Sequence, residues 1–371
     1  MAVISSFAPD VEATWGHSWK VVTMLIMFGI ITYSVAFLTA ETRLLGGQLE
    51  AASDKGFDYI VQFIDDHGNY SIPSVTENDL CFFFKLPLIL YTGGKLREAH
   101  LVLDYIKDNF MQSDGDFRTS QTVKACHPTH SSYYTYSNVW ITLAAHRMER
   151  YDVVTPALAY LEQYNKKFTT EGPPSEGHTI TTMFTLAQHG VLALQIGDIL
   201  TASRAARLIK SIIQQQPNTD SGFYYKLNKS KLITEFPESL AHHFFVNRTA
   251  PDQIVLLVGK SAEFLAKYSM FTGNAYYMDL AKGIISWLST CDESMYTTVS
   301  SMKVAVDASW VGAFSGDSVA KDMAARISSY LLSIQNADGS FPGHVTFMPG
   351  NAPEISYSMR VVDALASLGN E

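Results

Sequence analysis

The feature that most constrains this chain is a strict alternation of two kinds of helical segment. From Leu45 onward, apolar residues recur at spacings of three and four, with almost no alternating strand pattern. Segments 46–65, 94–110, 151–166, 198–216, 274–291 and 316–335 carry ordinary charged faces. Segments 76–93, 133–150, 178–197, 250–273, 302–315 and 354–369 are apolar nearly all round, and such a helix must be buried on every side. Gly-containing turns such as Thr92-Gly-Gly94, Ile196-Gly-Asp198, Phe271-Thr-Gly-Asn274 and Ser315-Gly-Asp317 join each buried segment to the exposed one after it. A repeat of about fifty residues, made of one exposed and one buried helix, cannot cover its own apolar face and must stack. Six such units predict closure into a ring with the buried helices inside. The expected fold is therefore an all-α (α/α)6 toroid over residues 45–371, preceded in 1–44 by one extra hydrophobic helix.

The turns after the exposed segments share a second pattern. Asp66-His-Gly-Asn-Tyr70, Gln112-Ser-Asp-Gly-Asp-Phe117, Asn218-Thr-Asp-Ser-Gly-Phe-Tyr224 and Ser333-Ile-Gln-Asn-Ala-Asp-Gly-Ser-Phe-Pro342 each bring Gly just before an aromatic. Gly can end a helix in a left-handed conformation, after which the aromatic folds back onto the rim. The pattern reads as architecture.

Composition removes several classes of function. A chain of 371 residues with 47% apolar side chains buries a large core. A net charge of −9 without any run of Lys and Arg excludes a nucleic-acid partner. Cys81, Cys126 and Cys291 lie far apart, with no CxxC pair and no His at a ligand spacing, so neither a disulfide framework nor a zinc site is indicated. Cys81, inside an apolar run, reads as a small hydrophobe. The uncharged run Val21–Ala40 is long enough to cross a bilayer and follows Trp15 and Trp19, but its flanking charges set no orientation. It reads either as a membrane anchor or as a buried helix capping the ring, and the compartment is expected to be intracellular with or without membrane association. Three glycosylation triplets begin at Asn69, Asn228 and Asn247, all in expected loops.

Gln335-Asn-Ala-Asp-Gly-Ser-Phe341 resembles the Gln-x-x-Asp-Gly-Ser-Trp repeat of squalene-hopene cyclases and the wider terpenoid cyclase and prenyltransferase toroids, with Phe in place of Trp. The resemblance implies the toroid and a central cavity for a lipophilic substrate. Neither the Asp-x-Asp-Asp acid motif of class II cyclases nor an Asp-Asp-x-x-Asp metal-diphosphate motif is present, so that family's acid has no counterpart here.

In such a ring, polar residues at the starts of the inner helices face the cavity mouth. Tyr133, Tyr136 and Trp140 share one face, as core packing or as an aromatic wall. His178, Thr182, Thr185 and His189 form a polar stripe expected to face the cavity, with His178 the better acid or base. Lys303, Asp307 and Trp310 share a face, so Lys303 and Asp307 are either a buried ion pair or an acid with its electrostatic tuner; Asp307 is the leading catalytic acid. Asp79 and Asp252 are helix caps or cavity carboxylates. Lys85, deep in an apolar segment, needs a partner, expected to be Asp79 or Glu77, or else serves as a base. His243 and Phe244, in the loop before segment 250–273, belong to a candidate lid, and Tyr357 completes the substrate-binding set. No phosphate loop, nucleophile elbow or zinc motif occurs, so no cofactor and no metal is implied.

Three readings follow. The first is a cofactor-independent cyclase, isomerase or lyase that uses acid–base chemistry on a lipophilic terpenoid or polyketide-like substrate. The alternative is a carbohydrate-active toroid, either a glycoside hydrolase or a sugar epimerase, which needs two facing carboxylates or a His pair. The third is a non-catalytic binding scaffold, in which the polar inner residues would satisfy one another.

Overall fold

The computed structural model of the chain describes residues 40–71, 78–125, 133–166, 179–342 and 352–368. Among them lie twelve α-helices: α1 (Ala40–Val61), α2 (Leu86–Thr92), α3 (Leu96–Phe110), α4 (Tyr136–Arg147), α5 (Tyr151–Asn165), α6 (Met183–Ile196), α7 (Ile199–Gln214), α8 (Leu256–Thr272), α9 (Ala275–Leu288), α10 (Met302–Ser315), α11 (Ser318–Ser333) and α12 (Ala352–Leu368). The even-numbered helices form a closed inner ring: α2 packs on α4, then α6, α8, α10 and α12 follow in turn, and α12 returns to α2. Each inner helix is backed by an outer one, α3 on α2, α5 on α4, α7 on α6, α9 on α8, α11 on α10, and α1 on α12. The fold is the (α/α)6 toroid, with the core between the two rings.

Inner and outer helices meet at one rim through short turns. Gly197, Gly273 and Gly316 end α6, α8 and α10 in left-handed conformations, and Asp198, Asn274 and Asp317 then cap the first turns of α7, α9 and α11. The aromatic turns occupy the opposite rim. In three of them the chain closes a tight backbone loop, Asp65 to Asn69, Gln112 to Asp116 and Asn336 to Ser340. An Asp caps each from inside, with Asp65, Asp114 and Asp338 accepting from backbone amides two residues on. Tyr70, Phe117 and Phe341 then turn into the core. The fourth turn differs, because Gly222–Tyr224 forms a strand.

The segment lengths depart from expectation where local chemistry intervenes. Segment 76–93 yields only a 3-10 turn, Leu80–Phe82, before α2, because Pro87 can stand only in a helix's first turn. Segment 178–197 begins as a strand, β1 (Ile180–Thr182), whose β-branched residues favour extended backbone. It pairs antiparallel with β3 (Lys226–Asn228), Thr181 opposite Leu227, and β3 pairs with β4 (Lys231–Leu232). The strand at 222–224 is β2, and it pairs with β5 (Phe245–Asn247), Phe223 opposite Val246.

One further expectation is corrected. Cys81 is disulfide-bonded and not a free hydrophobe, whereas Cys291 is a free buried thiol. The apolar run 21–40 lies outside the described residues except for Ala40, which opens α1; among the described residues no helix is long and apolar enough to cross a membrane.

Candidate active site

The first two turns of five inner helices enclose a central cavity. Tyr136 and Trp140 come from α4, Phe184 and Gln188 from α6, Leu256 and Lys260 from α8, Lys303 and Val306 from α10, and Glu354, Tyr357 and Ser358 from α12. Within each helix these positions are three or four apart, the spacing of one helical face, here turned to the ring axis. The cavity is small, about 20 Å³, because long side chains fold into it.

One wall is aromatic. Trp140 stands edge-on to Tyr136 and to Tyr357, with ring centres 6.3 and 5.9 Å apart, and Tyr136 packs on Phe184 at 5.3 Å. Tyr136, Trp140 and Tyr357 line the cavity, while Tyr133 packs behind them, edge-on to Phe184 at 5.6 Å. The indole N–H of Trp140 is buried and finds no hydrogen-bond acceptor among the described residues.

The other wall is charged. Glu354 accepts from Lys85 and lies 3.1 Å from the Lys303 ammonium. Burial alone would raise its pKa, but Lys303 and Lys85 together pull it down to about 2, so Glu354 is ionised. On α8, Glu263 pairs with Lys260 one turn before it and with Lys267 one turn after it. Burial opposes the Lys260 ammonium, yet the Glu263 carboxylate beside it holds its pKa above the ordinary lysine value.

Asp307 has the opposite environment. It is fully buried in α10, and its carboxyl group meets the Glu263 carboxylate, to which a protonated Asp307 can donate a hydrogen bond. The nearest cation, the Lys260 ammonium, is 4.0 Å away. Burial, followed by the opposing pull of Lys260 and the push of the Glu263 carboxylate, leaves its pKa well above the usual carboxylate range. Of these two neighbouring acids, Glu263 has two close lysines and ionises, so Asp307 keeps its proton. Gly259 makes this position available, since a Cβ there would press on Asp307 Oδ2.

Several expected roles are redistributed. Lys303 does not pair with Asp307 but with Glu354, and Lys85 pairs with Glu354 and not with Asp79, while Glu77 lies outside the described residues. Asp79 caps the 3-10 turn, accepting from Cys81 N and Thr119 Oγ1. Asp252 stands in an exposed turn at φ 56°, neither a helix cap nor a cavity group. His178 lies outside the described residues. The rest of its stripe is buried among polar partners: Thr182 caps α6, and His189 bridges Thr135 and Asn165 at 2.7 Å each. Gln188, one residue earlier, faces the cavity instead. Trp310 sits under Lys267, whose ammonium is 4.2 Å from its ring. The candidate lid is not a free loop. His243 ends a 3-10 helix, Glu238–His243, stacked on His242, and Phe244 stacks on Phe236 before β5 begins.

Sequence reasoning missed Glu354, Lys260, Glu263 and Lys267. The signal was available, because three charges at spacings of three and four inside the apolar segment 250–273 need partners, as Lys85 does.

No family model matches the chain, and no curated protein is similar to it in sequence. Solved structures do share its fold. An inactive variant of the alpha-1,6-mannanase of Salegentibacter sp. HEL1_6, with alpha-1,6-mannotriose bound, matches 87% of this chain and 99% of its own, at 10% identity and TM-score 0.55. The type II terpene cyclase MstE from Scytonema, in a complex with geranylgeranyl dihydroxybenzoate, matches 88% and 99%, at 11% identity and TM-score 0.53. An alpha-amylase from Clostridium perfringens matches 85% and 98%, at 11% identity and TM-score 0.51. The chain thus has the toroid fold of these enzymes, and the likeness to the mannanase is as strong as that to the cyclase. The mannanase's inactive variant replaces two consecutive aspartates. The one such pair in this chain, Asp65-Asp66, lies in the exposed turn after α1, remote from the cavity-lining residues in sequence and held by the turn amides of His67 and Asn69.

Proposed function

We propose that this protein is a cofactor-independent enzyme, an isomerase, cyclase or lyase, that moves a proton on a lipophilic, carbonyl-bearing substrate of polyketide or terpenoid type. The observation that carries the reading is Asp307, a buried carboxyl group that keeps its proton, placed behind the Lys260 ammonium of the cavity wall. A carboxylic acid that stays neutral can donate a proton, and one that sits next to an ammonium leaves a stabilised carboxylate when it does. Substrate entry displaces the flexible Lys260 side chain and brings the acid within reach. The proton passes from Asp307 to the substrate and is returned from a neighbouring carbon as the double bond shifts or a ring closes. Lys260 stabilises whichever oxygen, of substrate or of Asp307, holds the negative charge. The aromatic wall takes the apolar body of the substrate.

The carbohydrate reading rests on the mannanase and amylase likeness and on Glu354 beside the Trp140–Tyr357 wall. It asks for two carboxylates facing one bond, and among the described lining residues Glu354 is the single carboxylate. One experiment separates the two. Native mass spectrometry of protein purified without detergent is expected to show a bound lipophilic carbonyl compound. In D2O that compound should gain deuterium with the wild type and not with Asp307→Asn, whose melting temperature should be unchanged or raised, because Asn replaces an uncharged acid. A bound sugar, or exchange that persists in Asp307→Asn, sinks the proposal.

A further inference from the structure

Among the described residues, charges within the ring do not balance. Lys260, Lys267 and Lys303 stand against two ionised carboxylates, Glu263 and Glu354, and Glu354 also serves Lys85. Asp307 keeps its proton, since the two close lysines belong to Glu263, and Arg147 adds to the positive side near Lys267. Buried ions are ordinarily compensated, because leaving one unpaired costs several kcal/mol. Here the surplus lies where Lys260 and Lys303 reach the cavity, and the first turns of five inner helices point their amide ends the same way. The wall between these lysines and the aromatic side offers one more donor, the Trp140 indole N–H, on a residue only 7% exposed and without an acceptor among the described residues. A cavity short of negative charge and short of an acceptor is built for a ligand that brings both.

We infer that the cavity binds an anionic group, a carboxylate or a phosphate, carried on an apolar body, with Lys260, Lys303 and the Trp140 N–H as its receptors. The inference rests on the site described under the proposed function and names the class of its substrate: an amphiphilic acid, its charged head among the lysines and its apolar part against Tyr136, Phe184 and Tyr357. The lysines now folded into the small cavity are the side chains that make way, since each has four rotatable bonds and can swing from a carboxylate partner to the incoming anion.

The test uses the full chain with dodecanoate, dodecyl phosphate, dodecanol and inorganic phosphate as probes, each below micelle-forming concentration, read by thermal shift and calorimetry. Dodecanoate or dodecyl phosphate is expected to bind and raise the melting temperature, and the better of the two identifies the head group. Dodecanol is expected to bind at least tenfold more weakly. Trp140→Phe, which keeps an aromatic ring and removes the N–H, should weaken the anion about tenfold, the value of one hydrogen bond to a charged group. Lys303→Gln should weaken it further. Equal binding of dodecanol and dodecanoate overturns the inference, as does anion binding that neither substitution changes. Anion binding with deuterium exchange retained in Asp307→Asn would leave this inference standing and remove the proposed chemistry; exchange lost in Asp307→Asn without anion preference would do the reverse.

Discussion

Two acids in one ring are driven to opposite states by their neighbours. Glu354 has two lysines within reach and ionises; Asp307 has none closer than 4.0 Å and does not. The pairing of Glu354 has a pH signature. Its folded pKa, about 2, lies below the ordinary value of 4.5, so its contribution to stability is full above about pH 4.5 and is lost as pH falls toward 2. Glu354→Gln takes this carboxylate from the buried Lys85 and the half-buried Lys303 and is expected to cost about 3 kcal/mol at pH 7, the low end for breaking a buried pair. Melting curves of wild type and variant should draw together as pH is lowered from 4.5 toward 2; a gap that stays constant would mean that the ion pairs contribute nothing net. The need of Lys85 for a partner was legible in its apolar surroundings. Its partner was not, because Glu354 lies 269 positions away in the chain, and only closure of the ring brings the two together.

Helices and turns were more legible than the side chains they aim. The Gly-aromatic turns were readable as architecture because Gly and Asp act through local backbone geometry. What the sequence did not reveal is their docking. Gly68, Gly115 and Gly339, at φ 79°, 86° and 89°, each lie against the backbone of a neighbouring outer helix, where a Cβ would collide with the carbonyl oxygen of Leu101, Pro156 or Lys55. Gly94 has a similar φ, 73°, and open space around its missing Cβ. Gly94→Ala is therefore expected to cost about 1 kcal/mol, the left-handed penalty alone. Gly115→Ala adds a backbone clash and should cost at least about twice that. Equal losses in urea titrations would show that the contact yields freely. The His189 stripe fails for a related reason. Periodicity says which residues share a face, but an inner helix has one face to the cavity and another to its outer partner, and only packing decides between them. The strand at Ile180–Thr182 was hidden because its partner, Lys226–Asn228, is distant in sequence.

At the scale of the molecule, the alternation of segments was enough to foresee the ring, because six units with uncovered inner faces have no better burial than one another. Closure itself is made by residues that no periodicity marks. Helix α1 lies on α12, where Ser53 Oγ donates to the Ser356 carbonyl at 2.9 Å and Arg360 pairs with Asp54, and the turn after α11 joins it, where Gln335 Nε2 donates to the Ala52 carbonyl at 2.8 Å. Gly56 allows this approach, since a Cβ there would overlap the Ser356 side chain. An open stack of repeats has two ends that fray independently, with stability close to a sum over neighbours. A ring has no such ends, so strain at the α1–α12 seam is felt by every unit. Gly56→Ala is expected to lower stability by about 1–3 kcal/mol, the usual cost of overpacking, through a shift in urea midpoint with unchanged slope. The slope measures the surface exposed in one cooperative step. A reduced slope with an unchanged main midpoint would mean that α1 and α12 detach alone. The toroid would then be an open stack whose first and last repeats merely touch, and Glu354, which α12 carries, would be fixed in the cavity only as firmly as that detachable end.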